Sequence, residues 1–436
     1  MPNINISETE AFKPLAFDIT ENTVLIPMLY ARGVDTVSGE YRELKVDSKL
    51  FTDVTAFETW MSADHRVRVD NVLDRSYSMA YELLLQGMNV VVKPIFYDNK
   101  TLGRSISEDD AYAAMEDAIN GGALNEFEDR NIYNIKFITT GGYANCGKSY
   151  SAVVTEEGQE PETVTKETSS YEKIRDLAER RGDAIALIEF KDYFTDEQEL
   201  FTYLRENFKQ AGSDLYAAAF FPWFKYPTSA DGDIKKINFP ACFGYLLAYA
   251  YSVKSNANWF AAAGVARGLV PGLIKPSFNV GEALMHILQG DDIDETAEKL
   301  NLVINPIFNA GTYGYRIWGN RVVNKASTGV DNRFMNFLNI RLLLCDIKKQ
   351  IYHAAVRCTF EPNDDIVWIN FKTYANSLLD RMKSGRGISW YKWTKEVADT
   401  KATIKATLTI RPIEAVESFD ITVVLSDEEV EIVEEA

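Results

Sequence analysis

The sequence predicts a multi-domain chain of mixed α/β and α+β class. Three observations point there. Strand-like and helix-like runs alternate between residues 133 and 221. Two long helical stripes and then a period-two strand occupy residues 334–411. Both chain ends read as strands with no adjoining core. Alternation of the first kind implies an α/β layer with a partly parallel sheet.

Residues 1–22 are polar, with Pro14 and isolated apolar residues (Phe12, Leu15, Phe17, Ile19), and read as an extended arm. Residues 24–31 are uncharged up to Ala31 and β-rich, as a buried strand should be. Tyr77, Ala80, Tyr81, Leu84 and Leu85 have helical spacing within residues 74–87, and Gly87 ends the run as a C-cap signal. Residues 90–95 form a continuous apolar run of strand length. Strands are then expected at 133–139, 184–190 and 216–221, and helices at 171–181 and 196–210. The Thr- and Glu-rich stretch 146–169 reads as an exposed loop or hairpin insertion. Residues 238–253 are uncharged but interrupted by Pro240 and Gly244, which fits a buried helix and is too short to span a bilayer.

Further on, Phe337, Ile340, Leu344, Ile347, Ile351 and Ala355 form one helical stripe. A second helix carries Trp368, Phe371, Ala375, Leu378 and Met382, and stops at Gly385-Arg386-Gly387. The period then switches to two: Ile404, Ala406, Leu408 and Ile410 face one way, Lys405, Thr407, Thr409 and Arg411 the other. Past Pro412, Phe419, Ile421, Val423 and Leu425 alternate with polar residues as a final strand, with an acidic tail after it.

The 436 residues carry a formal net charge of −18, which argues against a duplex-binding surface. The four cysteines and three histidines are scattered, with no zinc spacing, so no metal or cofactor is expected. The start of the chain lacks the apolar core of a secretory signal. Neither membrane insertion nor direct nucleic-acid binding is expected. Adjacent acids at Asp109-Asp110, Asp291-Asp292 and Asp364-Asp365 read as helix caps and solvated charge.

The sharpest enzyme signal is Gly142–Ser149, GYANCGKS, which matches the P-loop pattern through Gly142, Gly147, Lys148 and Ser149. A P-loop needs a helix starting at the lysine, with its N-terminus aimed at the phosphates. The residues after Ser149 are β-branched and interrupted by Gly and Pro, which disfavours that helix. Nucleotide binding through this run is the competing reading.

Residues 300–323 hold Asn301, Asn305, Pro306, Gly311, Gly314 and Trp318-Gly319-Asn320-Arg321, and a long helix then leads to Phe360-Glu361-Pro362-Asn363. Upstream lie YAAAFFPWFKY (216–226) and Gly264-Val265-Ala266-Arg267-Gly268. This order resembles contractile tail sheath proteins of myophages, bacteriocins and related injection systems. The resemblance covers residues 216–425 well and extends more loosely to 24–95.

The resemblance implies a multi-domain tail-sheath-like fold: an N-terminal arm (1–22), an outer α/β domain (23–299), a C-terminal α+β core domain (300–417) and a C-terminal strand arm with acidic tail (418–436). Residues 101–170 stand as a lineage-specific stretch of the outer domain, with 146–169 an exposed loop. It implies no enzyme. The function implied is a subunit that polymerises helically around an inner tube and contracts to drive it through a target cell envelope, with another tail or baseplate structural protein as a further alternative. Partners are then the chain itself, the inner tail tube protein, and the baseplate and tail terminator proteins. The setting is a virion tail or contractile particle assembled in a bacterial host's cytoplasm. The intersubunit strand would be Phe419, Ile421, Val423 and Leu425. Lys372, Arg381, Lys383 and Arg386 form a local basic group that would contact the inner tube; the same residues also suit a solvated face near a helix C-terminus.

Overall fold

The computed structural model describes residues 22–31, 46–61, 65–70, 72–97, 105–143, 149–154, 162–167, 170–208, 214–290, 300, 302–324, 334–397, 403–413 and 415. The first elements are β1 (Thr23–Ala31), β2 (Lys49–Phe51), α1 (Val54–Trp60), β3 (Arg68–Val69) and β4 (Val72–Leu73). They lead into α2 (Arg75–Leu85), β5 (Asn89–Tyr97), β6 (Ser105–Ile106), α3 (Glu108–Asn120) and β7 (Phe137–Ile138). A hairpin of β8 (Ser149–Val154) and β9 (Glu162–Glu167) precedes α4 (Ser170–Arg181), β10 (Ile185–Ile188), α5 (Glu197–Asn207) and β11 (Ala217–Phe221). Next come the ribbon β12 (Phe224–Asp231) and β13 (Asp233–Phe239), then α6 (Ala241–Val253), α7 (Gly264–Arg267), β14 (Lys275–Pro276) and α8 (Glu282–Leu288). The chain continues through β15 (Ile304–Asn309), β16 (Tyr315–Ile317), α9 (Leu338–Cys358), α10 (Asp365–Ser384), β17 (Ile388–Glu396) and β18 (Lys405–Pro412).

The main sheet has eight strands in the order β16-β15-β11-β10-β7-β1-β5-β2. The six central strands are parallel; β16 and β2 flank them antiparallel. Helices cover both faces, so β1 is buried along nearly its whole length and reads as one apolar run. Its side chains alternate between two cores. Val24, Ile26, Met28 and Tyr30 join α2, α6 and the first turns of α9, while Leu25 and Leu29 join α3, α4, α5 and α8. The sheet continues across residue 300, because Ile304, Asn305 and Pro306 pair with Ala219, Phe220 and Phe221.

A third, smaller core lies beyond the sheet. Leu343 and Ile347 of α9, Leu378, Leu379 and Met382 of α10, Ile388 and Trp259 form it. Tyr391, Trp393, Leu408 and Ile410 of the β17–β18 hairpin cover it.

Local signals mark most helix ends. Asp74 caps α2 by accepting from the Ser76 and Tyr77 amides, Asp196 caps α5, and Asp364 caps α10. Asp109 and Asp110 lie in the first turn of α3, capped by Ser107; Asp291 and Asp292 fall outside the described residues.

Two expectations need correcting. The strand at 133–139 narrows to Phe137–Ile138. Tyr133 and Ile135 instead turn their carbonyls to side chains: Arg181 Nη2 donates to Tyr133 O (3.0 Å) and Lys349 Nζ to Ile135 O (2.7 Å). The single stripe on α9 also gives way, since its N-terminal half lies between two cores and is buried nearly all round. Ala355, placed on that stripe, is exposed.

Candidate functional site

Open parallel sheets usually bind ligands beyond the carboxyl ends of their strands. Here the chain's own side chains occupy that place. Arg75, at the start of α2, extends between the rings of Tyr143 and Trp223, its guanidinium carbon 4.7 Å from each ring centre. It donates through Nη1 to Gly142 O (2.6 Å) and through Nε to Asn238 O (3.0 Å), and pairs with Glu108 through Nη2 (2.6 Å). Trp223 Nε1 donates to Phe190 O (2.7 Å), closing the far side.

Gly142 belongs to this corner. Its φ is +83°, and a Cβ there would sit 2.8 Å from Arg75 Cδ. Its amide donates to Glu189 Oε1 (3.3 Å), which also accepts from Cys242 Sγ (3.4 Å). Burial pushes the Glu189 carboxyl up to about 7. A raised carboxyl favours the folded state below its unfolded value and loses that stability as pH climbs through the folded one. Between pH 4.5 and 7.5 the native chain should therefore lose about 3 kcal/mol relative to Glu189→Gln. Denaturation midpoints of both proteins across that range measure it; parallel curves would show that Glu189 is not titrating there.

The described residues around the P-loop-like run do not supply the helix that reading needs. Gly147 and Lys148 lie outside the described residues, but Ser149 opens a strand, and Ser149–Val154 pairs antiparallel with Glu162–Glu167. The helix that would direct its N-terminus at a phosphate is replaced by a hairpin. Among the described residues no group of three metal-ligating side chains occurs, and no helix is long and apolar enough to cross a membrane.

The motif around Trp318 has a structural role. Asn305 accepts from the Arg321 amide (2.8 Å) and donates to Ala219 O (3.1 Å) and Arg321 O (2.7 Å). Gly319 lies so close that a Cβ would meet Asn305 Oδ1 at 2.6 Å. Asn320 then bonds Asn339 at both its side chain and its amide (2.7 and 3.1 Å), and Arg321 covers the Phe337 ring at 4.4 Å. These residues fasten β15 to the start of α9. At the other end of α9, Phe360 turns the corner at φ +70° with its ring fully exposed.

The second candidate site is the β17–β18 hairpin. It forms a two-stranded sheet of its own, with no third strand among the described residues. One face packs on α10 through Trp393, whose Nε1 donates to Asn376 (2.9 Å). Trp259 Nε1 donates to Gly385 O (2.9 Å) and so holds the turn that enters the hairpin. Two outer edges remain with unpaired backbone groups, and a two-stranded sheet is marginal in water. Trp390, Lys392, Thr394, Thr407, Thr409 and Arg411 lie on the outward face, with Trp390 opposite Arg411 and Lys392 opposite Thr409.

Of the expected tube-contact residues, Arg381, Lys383 and Arg386 are exposed at the end of α10, and Lys372 is half-buried with its ammonium 5.4 Å from the Trp368 ring centre. Residues 372–411 carry nine Lys or Arg and three Asp or Glu, in a chain where acids outnumber bases 64 to 46. The expected strand of Phe419, Ile421, Val423 and Leu425 lies outside the described residues.

No family model matches the sequence, and no curated protein is similar to it. Solved structures are similar end to end. A chain of the sheath complex of an extracellular contractile injection system (PVC), in its contracted state, superposes with a TM-score of 0.59 at 13% identity, over 98% of each chain. Chains from the baseplate of the anti-feeding prophage (AFP) superpose at 0.60 in the contracted state and 0.55 in a six-fold symmetrised structure, at 13% and 12% identity, over 98% of this chain and 99% of theirs. The chain therefore has the fold of a contractile injection system's sheath protein.

Proposed function

We propose that the chain is the structural subunit of a contractile sheath, which polymerises helically around an inner tube and contracts to drive it through a cell envelope. The superposition over 98% of both chains on a sheath-complex protein carries this reading. Heterologous contacts repeated along a lattice give an open tube. Purified chain, alone and with its inner tube protein, should form rings or tubes in negative-stain micrographs. A strictly monomeric protein that ignores the tube would sink the proposal.

The arms would join the subunits. Residues 1–22 and 418–436 would leave the body formed by residues 23–299 and 300–417, and the C-terminal strand would add to a neighbour's β17–β18 hairpin. Its two open edges support that role.

The inner tube would meet the end of α10. Cations clustered in an acidic chain call for an acidic partner. Arg381→Glu with Lys383→Glu should weaken tube binding roughly tenfold at low salt, because rim charges act through screened attraction. Pull-down of the tube protein reads this, and unchanged retention would remove α10 from the interface.

Contraction would need no fuel. The work would be held in lattice contacts that are kinetically trapped in the extended state, and rigid bodies would rotate into better contacts while the arms keep neighbours tethered. Lys148→Ala particles should therefore assemble normally and contract irreversibly without nucleotide when mild denaturant or acid triggers them. A requirement for ATP, or failure of that variant to contract, would revive the enzyme reading.

A further inference from the structure

We propose that the acidic tail, residues 426–436, of one copy docks on the outward face of the β17–β18 hairpin of a neighbouring copy. The inference rests on the sheath reading and adds to strand exchange a second contact of different chemistry.

The outward face carries Lys392 and, one diagonal step away, Arg411. At the connecting end of that face Lys405 pairs with Glu396 (3.5 Å), while Lys395, near Asp365 (3.8 Å), lies on the face toward α10. Lys392 and Arg411 make no ion pair with another described residue. The opposite face of the hairpin is already covered by the third core. A ligand that engages Lys392 and Arg411 together would be anionic and extended.

The chain carries such a ligand. Residues 413–436 hold nine Asp or Glu and no Lys or Arg, and six of those acids fall within 427–435. Reach is sufficient: eleven extended residues span about 36 Å, against about 30 Å for a nine-residue strand. The tail directly succeeds the 419–425 strand. If that strand is donated to a neighbour's hairpin edge, the tail is delivered to the same neighbour, one strand spacing from its outward face. Continuity favours the neighbour's face over the chain's own.

A chain ending at Leu425 tests the clamp while keeping the strand. At about 0.05 M salt it should need roughly tenfold more protein than the full chain to sediment as assemblies, with the difference falling to about twofold near 1 M, where the screening length is about 3 Å. The full chain with Lys392→Glu and Arg411→Glu should behave likewise. Mixing these two proteins should restore assembly at concentrations where neither assembles alone, because tail and face then meet only between copies. A fluorescein-labelled 426–436 peptide should bind the chain ending at Leu425, by anisotropy, and lose that binding on Lys392→Glu with Arg411→Glu. Assembly of the 425-ended chain like the full chain, absence of recovery on mixing, or a peptide indifferent to the face variant would each overturn the proposal. If the strand-exchange reading is what fails, the chain ending at residue 417 will assemble as well as the one ending at Leu425.

Discussion

Deleting residues 418–436 should leave a folded monomer that no longer polymerises. All three hydrophobic cores are built from residues before 411, so the deletion removes nothing from them. The deleted segment is one in which Phe419, Ile421, Val423 and Leu425 alternate with Asp420, Thr422 and Ser426. A lone strand leaves its amides and carbonyls unpaired, and another sheet must complete it. Among the described residues two hairpins form two-stranded sheets with both edges open, β8–β9 and β17–β18, and the arm model assigns the donated strand to β17–β18. About five hydrogen bonds at roughly 1 kcal/mol each would be lost per junction. That lowers the contact constant by a factor of about 10³ or more. Circular dichroism and thermal melting should be unchanged, while sedimentation and micrographs show no tubes. Ile421→Pro with Val423→Pro, which blocks ladder bonds without shortening the chain, should give the same result. Normal tubes from either protein would refute the arm model.

The alternating α/β layer is legible in the sequence because its signals are local. Asp74 and Gly87 bracket α2, Asp196 starts α5, and α4 ends at Arg181, just before Gly182. The β12–β13 ribbon, not among the expected elements, does carry a readable signal: Asp231-Gly232 between two alternating runs is a strong hairpin mark. β17 is likewise absent from the expected elements, although ISWYKWTKE is aromatic and β-rich. Its aromatic residues fall on both faces, Trp390 outward and Tyr391 and Trp393 inward, so the period-two contrast that marks β18 is weak there. Other features have no local trace. Arg75 reaches partners 33, 67 and 163 residues away, so nothing near it in the sequence distinguishes it from a surface arginine. The same is true of the α9 residues that face two cores at once. For the site, the basic character of α10 is legible from composition, but which cations are already engaged is not; Lys372 against Trp368 is a tertiary fact.

The largest single-residue effect should come from Lys136 and Asp346. Their side chains are 0% and 2% exposed, and Lys136 Nζ lies 2.9 Å from Asp346 Oδ2. Burial alone would lower the lysine, but the Asp346 charge and Tyr249 beside it carry it above its ordinary value, so it stays charged. Asn258 Nδ2 also donates to Asp346 (3.0 Å), and Tyr249 OH donates to Asn22 Oδ1 (2.9 Å). Five segments therefore meet at one buried pair: the loop before β7, α6, the turn after α6, α9, and Asn22, from which the proposed N-terminal arm departs. Two buried charges are costly to desolvate, and their attraction offsets that cost only while both are present. Lys136→Met or Asp346→Leu alone should destabilise by about 3–5 kcal/mol, because each strands the other charge in the core. The double variant should recover at least half of that loss, since neither charge then remains to be solvated. Because Asn22 takes part, the single variants should also loosen the root of the arm and weaken assembly more than an unrelated core truncation of equal cost. Urea denaturation of the four proteins, with sedimentation of assemblies alongside, measures both effects. If the double variant is as unstable as the two single losses added together, the pair is not coupled as its 2.9 Å geometry implies, and the joint between arm and body lies elsewhere.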